Sequence, residues 1–271
     1  FTGVRGGLLR RAGLPENFVV ANPQFGSAML TSNFAGSTYH SLQVELMKRF
    51  SGGWTFQGNY TWSKSLGEED GDGSALGANY RTLRNRGMDK KLLSYHRSHV
   101  WRSNALWEFP FGPGKRFAGA GGGWTARLIE GWQMGAIFNV FSGEPIGAGA
   151  VGAFNNFGGN TPMAVAPFDK SAGVAERTNN GVVYFSGLSQ VPDPSIANIT
   201  TLQGIRGRST MLAIADASGR LLLVNPEPGQ LGTLAPRFLE GPGSFRLDLN
   251  LIKRIRISES KELHLRADAI T

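Results

Sequence analysis

With 271 residues, 41% of them apolar and 10% aromatic, the chain has material for a packed core, and its 38 glycines fall in no low-complexity tract. The lack of cysteine excludes a disulfide scaffold, a cysteine-zinc site, an iron-sulfur cluster and a thiol nucleophile within the chain. A formal charge of +8 favours anionic surroundings, and no apolar run approaches the ~20 residues of a membrane-crossing helix, which leaves a membrane barrel open.

The first residues from Phe1 lack a basic and then apolar leader and read as mid-domain sequence, so the chain is expected to be part of a longer protein. From residue 39 the dominant signal is strict alternation at a period of two, with helical periodicity nearly absent. Over 39–50, His40, Leu42, Val44, Leu46, Lys48 and Phe50 alternate with Ser41, Gln43, Glu45, Met47 and Arg49, which predicts a strand with one apolar face. Ser51, Gly52 and Gly53 make a turn. Over 54–65, Trp54, Phe56, Gly58, Tyr60 and Trp62 then alternate with Thr55, Gln57, Asn59, Thr61 and Ser63. Closing this hairpin sets Phe50 opposite Trp54, Val44 opposite Tyr60 and Leu42 opposite Trp62, with Glu45 facing Asn59 and Gln43 facing Thr61.

A third strand over 99–110 turns Trp101, Ala105, Trp107 and Phe109 one way and Arg102, Asn104 and Glu108 the other, until Pro110 ends it. The glycine-rich connection 111–127 leads to a fourth strand over 129–141. There Trp132, Met134, Ala136, Phe138 and Val140 form the apolar face, while Ile137 and Phe141 interrupt the polar one. In the long segment that follows, 211–214 and 220–224 flank Ser218 and Gly219 as a small extra hairpin. Strands 245–257 and 261–271 close the chain across Ser258, Glu259 and Ser260. Phe245, Leu247, Leu249, Leu251, Leu263 and Leu265 share a face opposite Arg246, Asp248, Arg254, Arg256, Glu262, Arg266 and Asp268, and Arg256 falls opposite Glu262.

About six strands of ~10 to 13 residues exceed the usual globular mode of ~5 to 6 and match the ~9 to 11 tilted residues that cross a bilayer. Short turns alternate with long connections at 66–98 and 142–244, as in membrane barrels with short periplasmic turns and long external loops. Trp54 and Trp62 would lie roughly 20 Å apart along the membrane normal, near the ~25 Å between aromatic girdles. The expected fold is therefore an all-β antiparallel transmembrane barrel segment, part of a larger barrel, with long extracellular loops. The lipid-facing set is Leu42, Val44, Leu46, Phe56, Tyr60, Trp62, Trp101, Trp107, Trp132, Leu247, Leu249, Leu251 and Leu265. The lumen-facing set is Gln43, Glu45, Gln57, Asn59, Arg102, Arg246, Asp248, Arg254, Arg256 and Arg266, whose charges are expected to pair with one another and keep that face wet. Lys48 and Lys253 fall on the apolar parity near the turn ends, where snorkelling to headgroups would accommodate them. The alternative is a soluble secreted β-sandwich that buries the same tryptophans under a second layer.

No motif carries chemistry. Asp70, Asp72 and Ser74 imitate the start of a calcium loop, but Ala75 stands at its glycine position and Arg81 at its closing glutamate. Gly112 to Arg116 lacks the spacing and hydroxyl of a phosphate loop and reads as a turn. His96 and His99 have no third ligand nearby, and neither a nucleophile elbow nor a zinc-hydrolase helix is present. No catalytic residue, metal or cofactor is expected.

Tyr39–Phe50 (YHSLQVELMKRF) and Gly53–Leu66 (GWTFQGNYTWSKSL) resemble the barrel strands of TonB-dependent, Oar-like outer-membrane receptors. Three further stretches agree in order: His99 to Phe117, Gly131 to Pro145, and Glu240 to Asn250 continuing through Arg266 to Ala269. The resemblance covers most of the chain outside about 150–200. It implies a carboxypeptidase-regulatory-like domain, a plug and a barrel of about 22 strands in the whole protein. This chain shows no recognisable plug or TonB-contacting box. By resemblance, the whole protein would bind or take up a solute in the outer membrane. Its partners would be outer-membrane lipid and lipopolysaccharide, the plug of the same chain and the TonB complex, with no nucleic acid. A structural or adhesive barrel presenting its loops is the alternative function.

Overall fold

A computed structural model describes residues 12–13, 15, 33, 35–70, 80–82, 84–117, 123–150, 160–168, 175–196, 212–226, 230–258 and 260–270. In chain order the elements are β1 (Ser37–Ser51), β2 (Trp54–Gly67), β3 (Lys91–Leu92), β4 (His99–Glu108), α1 (Gly123–Ile129), β5 (Trp132–Phe141), β6 (Pro145–Ile146) and β7 (Met163–Ala164). They continue with β8 (Ala175–Thr178), β9 (Gly181–Tyr184), β10 (Ser189–Pro192), β11 (Leu212–Ala215), β12 (Leu221–Val224), β13 (Leu239–Glu240), β14 (Ser244–Ser258) and β15 (Lys261–Ala269).

The six long strands form one antiparallel sheet in the order β1-β2-β4-β5-β14-β15, with β3 added beside β2. Among the described residues the sheet is open, with β1 and β15 at its edges. Alternation and turn chemistry fix this order locally: each strand pairs with the next long strand in sequence, and a slip of one residue would mix the two faces.

The register reproduces Val44 opposite Tyr60, Leu42 opposite Trp62, Glu45 opposite Asn59 and Gln43 opposite Thr61. It departs at the turn, where Ser51, not Phe50, faces Trp54 after an irregularity beyond the Lys48–Phe56 pair. Gly52 and Gly53 both adopt positive φ, +62° and +85°, so the hairpin closes on two residues rather than three and the surplus residue becomes a bulge in β1. The third strand ends at Glu108, before Pro110. The fourth begins only at Trp132, because 129 ends α1 and Gly131, at φ +72°, turns the chain. The short helix is too brief to register as periodicity in the sequence.

The expected extra hairpin is present as β11 and β12, with Met211 outside the described residues. It belongs to a larger unit: β10, β11, β12 and β7 form a four-stranded sheet in that order. Leu222, Leu223 and Leu234 form its buried core, with Phe168, Leu188, Ile214 and Phe238 packed against them. The β5–β14 ribbon runs into this unit through β6 paired with β13. Gly143 and Gly241 cross so closely there that a Cβ on Gly143 would lie 1.7 Å from the Gly241 carbonyl oxygen.

Candidate functional site on the polar face

Pairing across the sheet assigns each strand residue to a face. Leu42, Val44, Leu46, Phe56, Tyr60, Trp62, Trp101, Trp107, Trp132, Leu247, Leu249, Leu251 and Leu265 share one face, and Gln43, Glu45, Gln57, Asn59, Arg102, Arg246, Asp248, Arg254, Arg256 and Arg266 share the other. On the apolar face Leu46 is 61% exposed and Trp62 56%, and none of the described strands lays a second layer over them, as a sandwich would require. Aromatic side chains gather at both ends of this face. Tyr60 stacks on His99 and donates to or accepts from its Nδ1 at 2.8 Å, while at the other end Trp107 and Phe109 meet edge to face at 4.7 Å. Gly58, between them, is covered by the Phe56 and Trp101 rings.

The opposite face is polar and internally paired. Arg246 meets Asp248 at 2.9 Å, Arg266 meets Asp268 at 2.8 Å, Gln57 donates to Glu45 at 2.9 Å and Arg254 donates to Gln133 at 2.7 Å. Arg256 and Glu262 are opposite in register as expected, but Glu262 reaches along its own strand to His264 at 3.3 Å.

At the loop end of this polar face lies an open concavity of about 620 Å³. Gln43, Thr61, Arg102 and Phe141 project into it from four adjacent strands, Tyr39 closes one side, and Tyr95 and Arg97 overhang it from the loop before β4. Its volume lies in the range that encloses a small organic solute. Arg102 places its guanidinium 5.5 Å from the Phe141 ring and has no carboxylate partner among the described residues. Arg97 is held from below by its own loop, donating to the His96 carbonyl at 2.9 Å, and pairs with Glu144. The chemistry offered is aromatic surface, hydroxyls and one uncommitted cation.

The two long loops are joined into a single cap beside this concavity. Arg81, 4% exposed, donates to Asp89 at 2.8 Å, to Thr161 Oγ1 at 2.5 Å and to the carbonyls of Gly232 at 2.9 Å and Leu234 at 3.2 Å. A buried guanidinium is tolerable only with this many partners. Asp70 accepts from Ser94 N at 2.8 Å and pairs with Arg237. Burial works to raise its pKa, but Arg237, the Ser94 N–H and Lys91 together hold it below the usual carboxylate value. Asp193 is likewise lowered: against the cost of burial it accepts hydrogen bonds from Ser195 and from both the backbone and the side chain of Asn225, at 2.6 to 2.9 Å. Ser98 Oγ donates to Glu240 at 2.5 Å and Leu92 N to the Arg237 carbonyl at 3.0 Å, tying the cap to the sheet's rim.

Of the residues noted for calcium, Asp70 is committed to the cap, and Asp72, Ser74 and Ala75 lie outside the described residues. His96 and His99 do not converge. His96 is buried between Ser65 N–H and Ser98, whereas His99 turns to Tyr60. Among the described residues no group of three His, Asp or Glu side chains could hold a metal. Gly112 to Arg116 is a turn, with Gly112 and Gly114 at positive φ. Lys48 and Lys253 both find protein carbonyls at the turn end. Lys48 reaches Ser51 O at 2.8 Å and Trp54 O at 3.1 Å, and Lys253 reaches Arg127 O at 2.6 Å and Glu130 O. Sequence reasoning missed Tyr95, Arg97 and the Arg81 clamp, because their partners lie up to 153 residues away and no local pattern marks them.

A family model described as an outer membrane beta barrel domain matches residues 9–270. Neither the curated proteins nor the solved structures contain a match to the chain.

Proposed function

Since the chain belongs to the outer membrane β-barrel domain family, which places it in the outer membrane, we propose that it is the barrel portion of a TonB-dependent, Oar-like receptor that binds or takes up a solute. The tryptophan-bearing face meets lipid and lipopolysaccharide, and the charged face lines the lumen. Open strand edges are not tolerated in hydrocarbon, so β1 and β15 pair with further strands of a larger barrel. The lumen face receives the plug of the same chain, through which the TonB complex acts. No nucleic acid and no turnover enter this reading.

The observation that carries the proposal is the concavity on the polar face, overhung by Tyr95 and Arg97 and flanked by a folded cap. Beyond keeping that face wet, Arg102 beside the Phe141 ring, with no carboxylate partner among the described residues, offers a cation to an entering solute. The test is depletion of growth medium, read by mass spectrometry, for cells carrying the intact gene, lacking it, or lacking TonB. At least one solute is expected to disappear only when both are present, and more slowly with Arg102→Ala. If no solute does so while the protein is folded in the membrane, uptake is overturned in favour of a structural or adhesive barrel.

A further inference from the structure

The connection between β4 and β5 lies at the turn end of the sheet, away from the cap, and contains α1. Two side chains of the apolar face hold the helix's last turn. Trp132 Nε1 donates to the Leu128 carbonyl at 2.8 Å, and Lys253 Nζ donates to Arg127 O at 2.6 Å and to Glu130 O. Trp132 and Lys253 are direct partners in the register, and the Lys253 ammonium also lies 5.4 Å from the Trp132 ring. Helix C-termini leave carbonyls without intrahelical donors and carry partial negative charge, so a lysine and an indole N–H there fit both needs. Gly131 follows at φ +72° as the left-handed cap, and a Cβ on it would lie 2.4 Å from the Arg254 carbonyl oxygen, so the position accepts only glycine. The helix is therefore fastened on the apolar side of the sheet at a defined height.

What the helix displays is unusual for a surface in water. Ala126 is buried against the protein, while Trp124 is 73% exposed and Leu128, one turn on, 58% exposed. Phe111 and Phe117 are exposed in the same connection. Ring contacts run without a break from Trp107 through Phe109 and Phe111 to Phe117, at 4.7, 6.1 and 5.9 Å. Arg116 lies over Phe117, and Arg127 is exposed on the helix.

We propose that α1 and the Phe111–Phe117 turn form an in-plane membrane anchor, with Trp124 and Leu128 inserted at the headgroup–acyl boundary of phospholipids in the leaflet nearest the short turns. Continuity decides the occupant: the exposed rings extend the tryptophan row that the sheet itself turns outward, and exposed tryptophan and arginine are the side chains that suit this boundary. The inference rests on the reading that the apolar face meets lipid.

The test places single nitroxide labels at Trp124→Cys, Leu128→Cys and, as reference, Leu247→Cys in a cysteine-free background of the full-length protein. The protein is held in nanodiscs of phosphatidylethanolamine and phosphatidylglycerol. Labels at 124 and 128 are expected to be open to oxygen, shielded from a water-soluble nickel chelate and shallower than the label at 247. Free access of the nickel chelate to both helix sites, with 247 still in lipid, overturns the anchor and leaves the barrel reading intact. A label at 247 closed to oxygen overturns the lipid-facing reading and the anchor with it.

Discussion

The sheet and its cap are built on opposite plans. In the cap Leu222, Leu223, Leu234, Leu239, Leu92 and Leu93 are buried, and polar groups taken inside, such as Arg81, Asp89, Asp193 and Asn225, are hydrogen-bonded. In the six long strands the buried residues are Gly58, Ser65, Gly67, Gln133, Gly135 and Lys253, with no apolar side chain among them. The sheet gathers most of its Leu, Val and Trp on one face and keeps its arginines and carboxylates on the other. A cap of that design is stable in water because burial of apolar area stabilises it. On the proposed reading, a sheet of that design gains the same stabilisation from hydrocarbon at its apolar face. On that reading one chain carries two solvent requirements, and the long β5–β14 ribbon passes toward the cap where Gly143 and Gly241 cross.

The sharpest way to break the comparison is inside the cap. Asp89→Ala leaves the Arg81 guanidinium buried without its carboxylate, a change that costs about 3 to 5 kcal/mol in comparable sites. Hydrogen exchange on the full-length protein in nanodiscs should show amides of β11 and β12 losing protection while those of β5 and β14 keep theirs. Equal loss in both regions would mean that cap and sheet unfold as one unit.

The complementary test is made in the sheet. Val44→Arg puts a charge on the outward face and should cost about 2 to 4 kcal/mol if the residue lies near the bilayer midplane, whereas Gln43→Arg, its neighbour on the polar face, should be tolerated. Reversible unfolding from lipid vesicles measures both. Similar costs at the two positions would contradict the assignment of faces.

The unequal legibility of the two regions in the sequence follows from the same contrast. The existence of the six long strands, their faces and most of the register of β1 and β2 could be read directly, because alternation is local. The bulge before Ser51 was missed because two positive-φ glycines shorten the turn by one residue. The cap was legible only as the hairpin of β11 and β12. Its remaining order comes from contacts such as Arg81 with Gly232 and Leu92 with Arg237, between segments with no shared pattern. The concavity fell between these cases: Gln43 and Arg102 were on the expected face, while the overhanging Tyr95 and Arg97 depend on how the cap's loops fold.

Acid separates the two regions more gently. Asp70 and Asp193 have folded-state pKa values below the ordinary 3.8, since Arg237 at the first and Ser195 and Asn225 at the second outweigh the cost of burial. A carboxylate depressed in the folded state contributes stability above its unfolded pKa, and that contribution disappears as pH falls through the folded value, when the proton must be taken up against these partners. The window therefore opens near pH 4 and extends downward. Asp193 sits between β10 and the residues after β12, so its protonation should loosen the four-stranded sheet of the cap. Exchange rates corrected for their intrinsic pH dependence should rise at β10 and β12 between pH 5 and pH 3, with β5 and β14 unchanged, and Asp193→Asn should flatten the response at β10. A response of equal size in the long strands would place the acid-sensitive groups in the sheet instead and remove the distinction between the two regions.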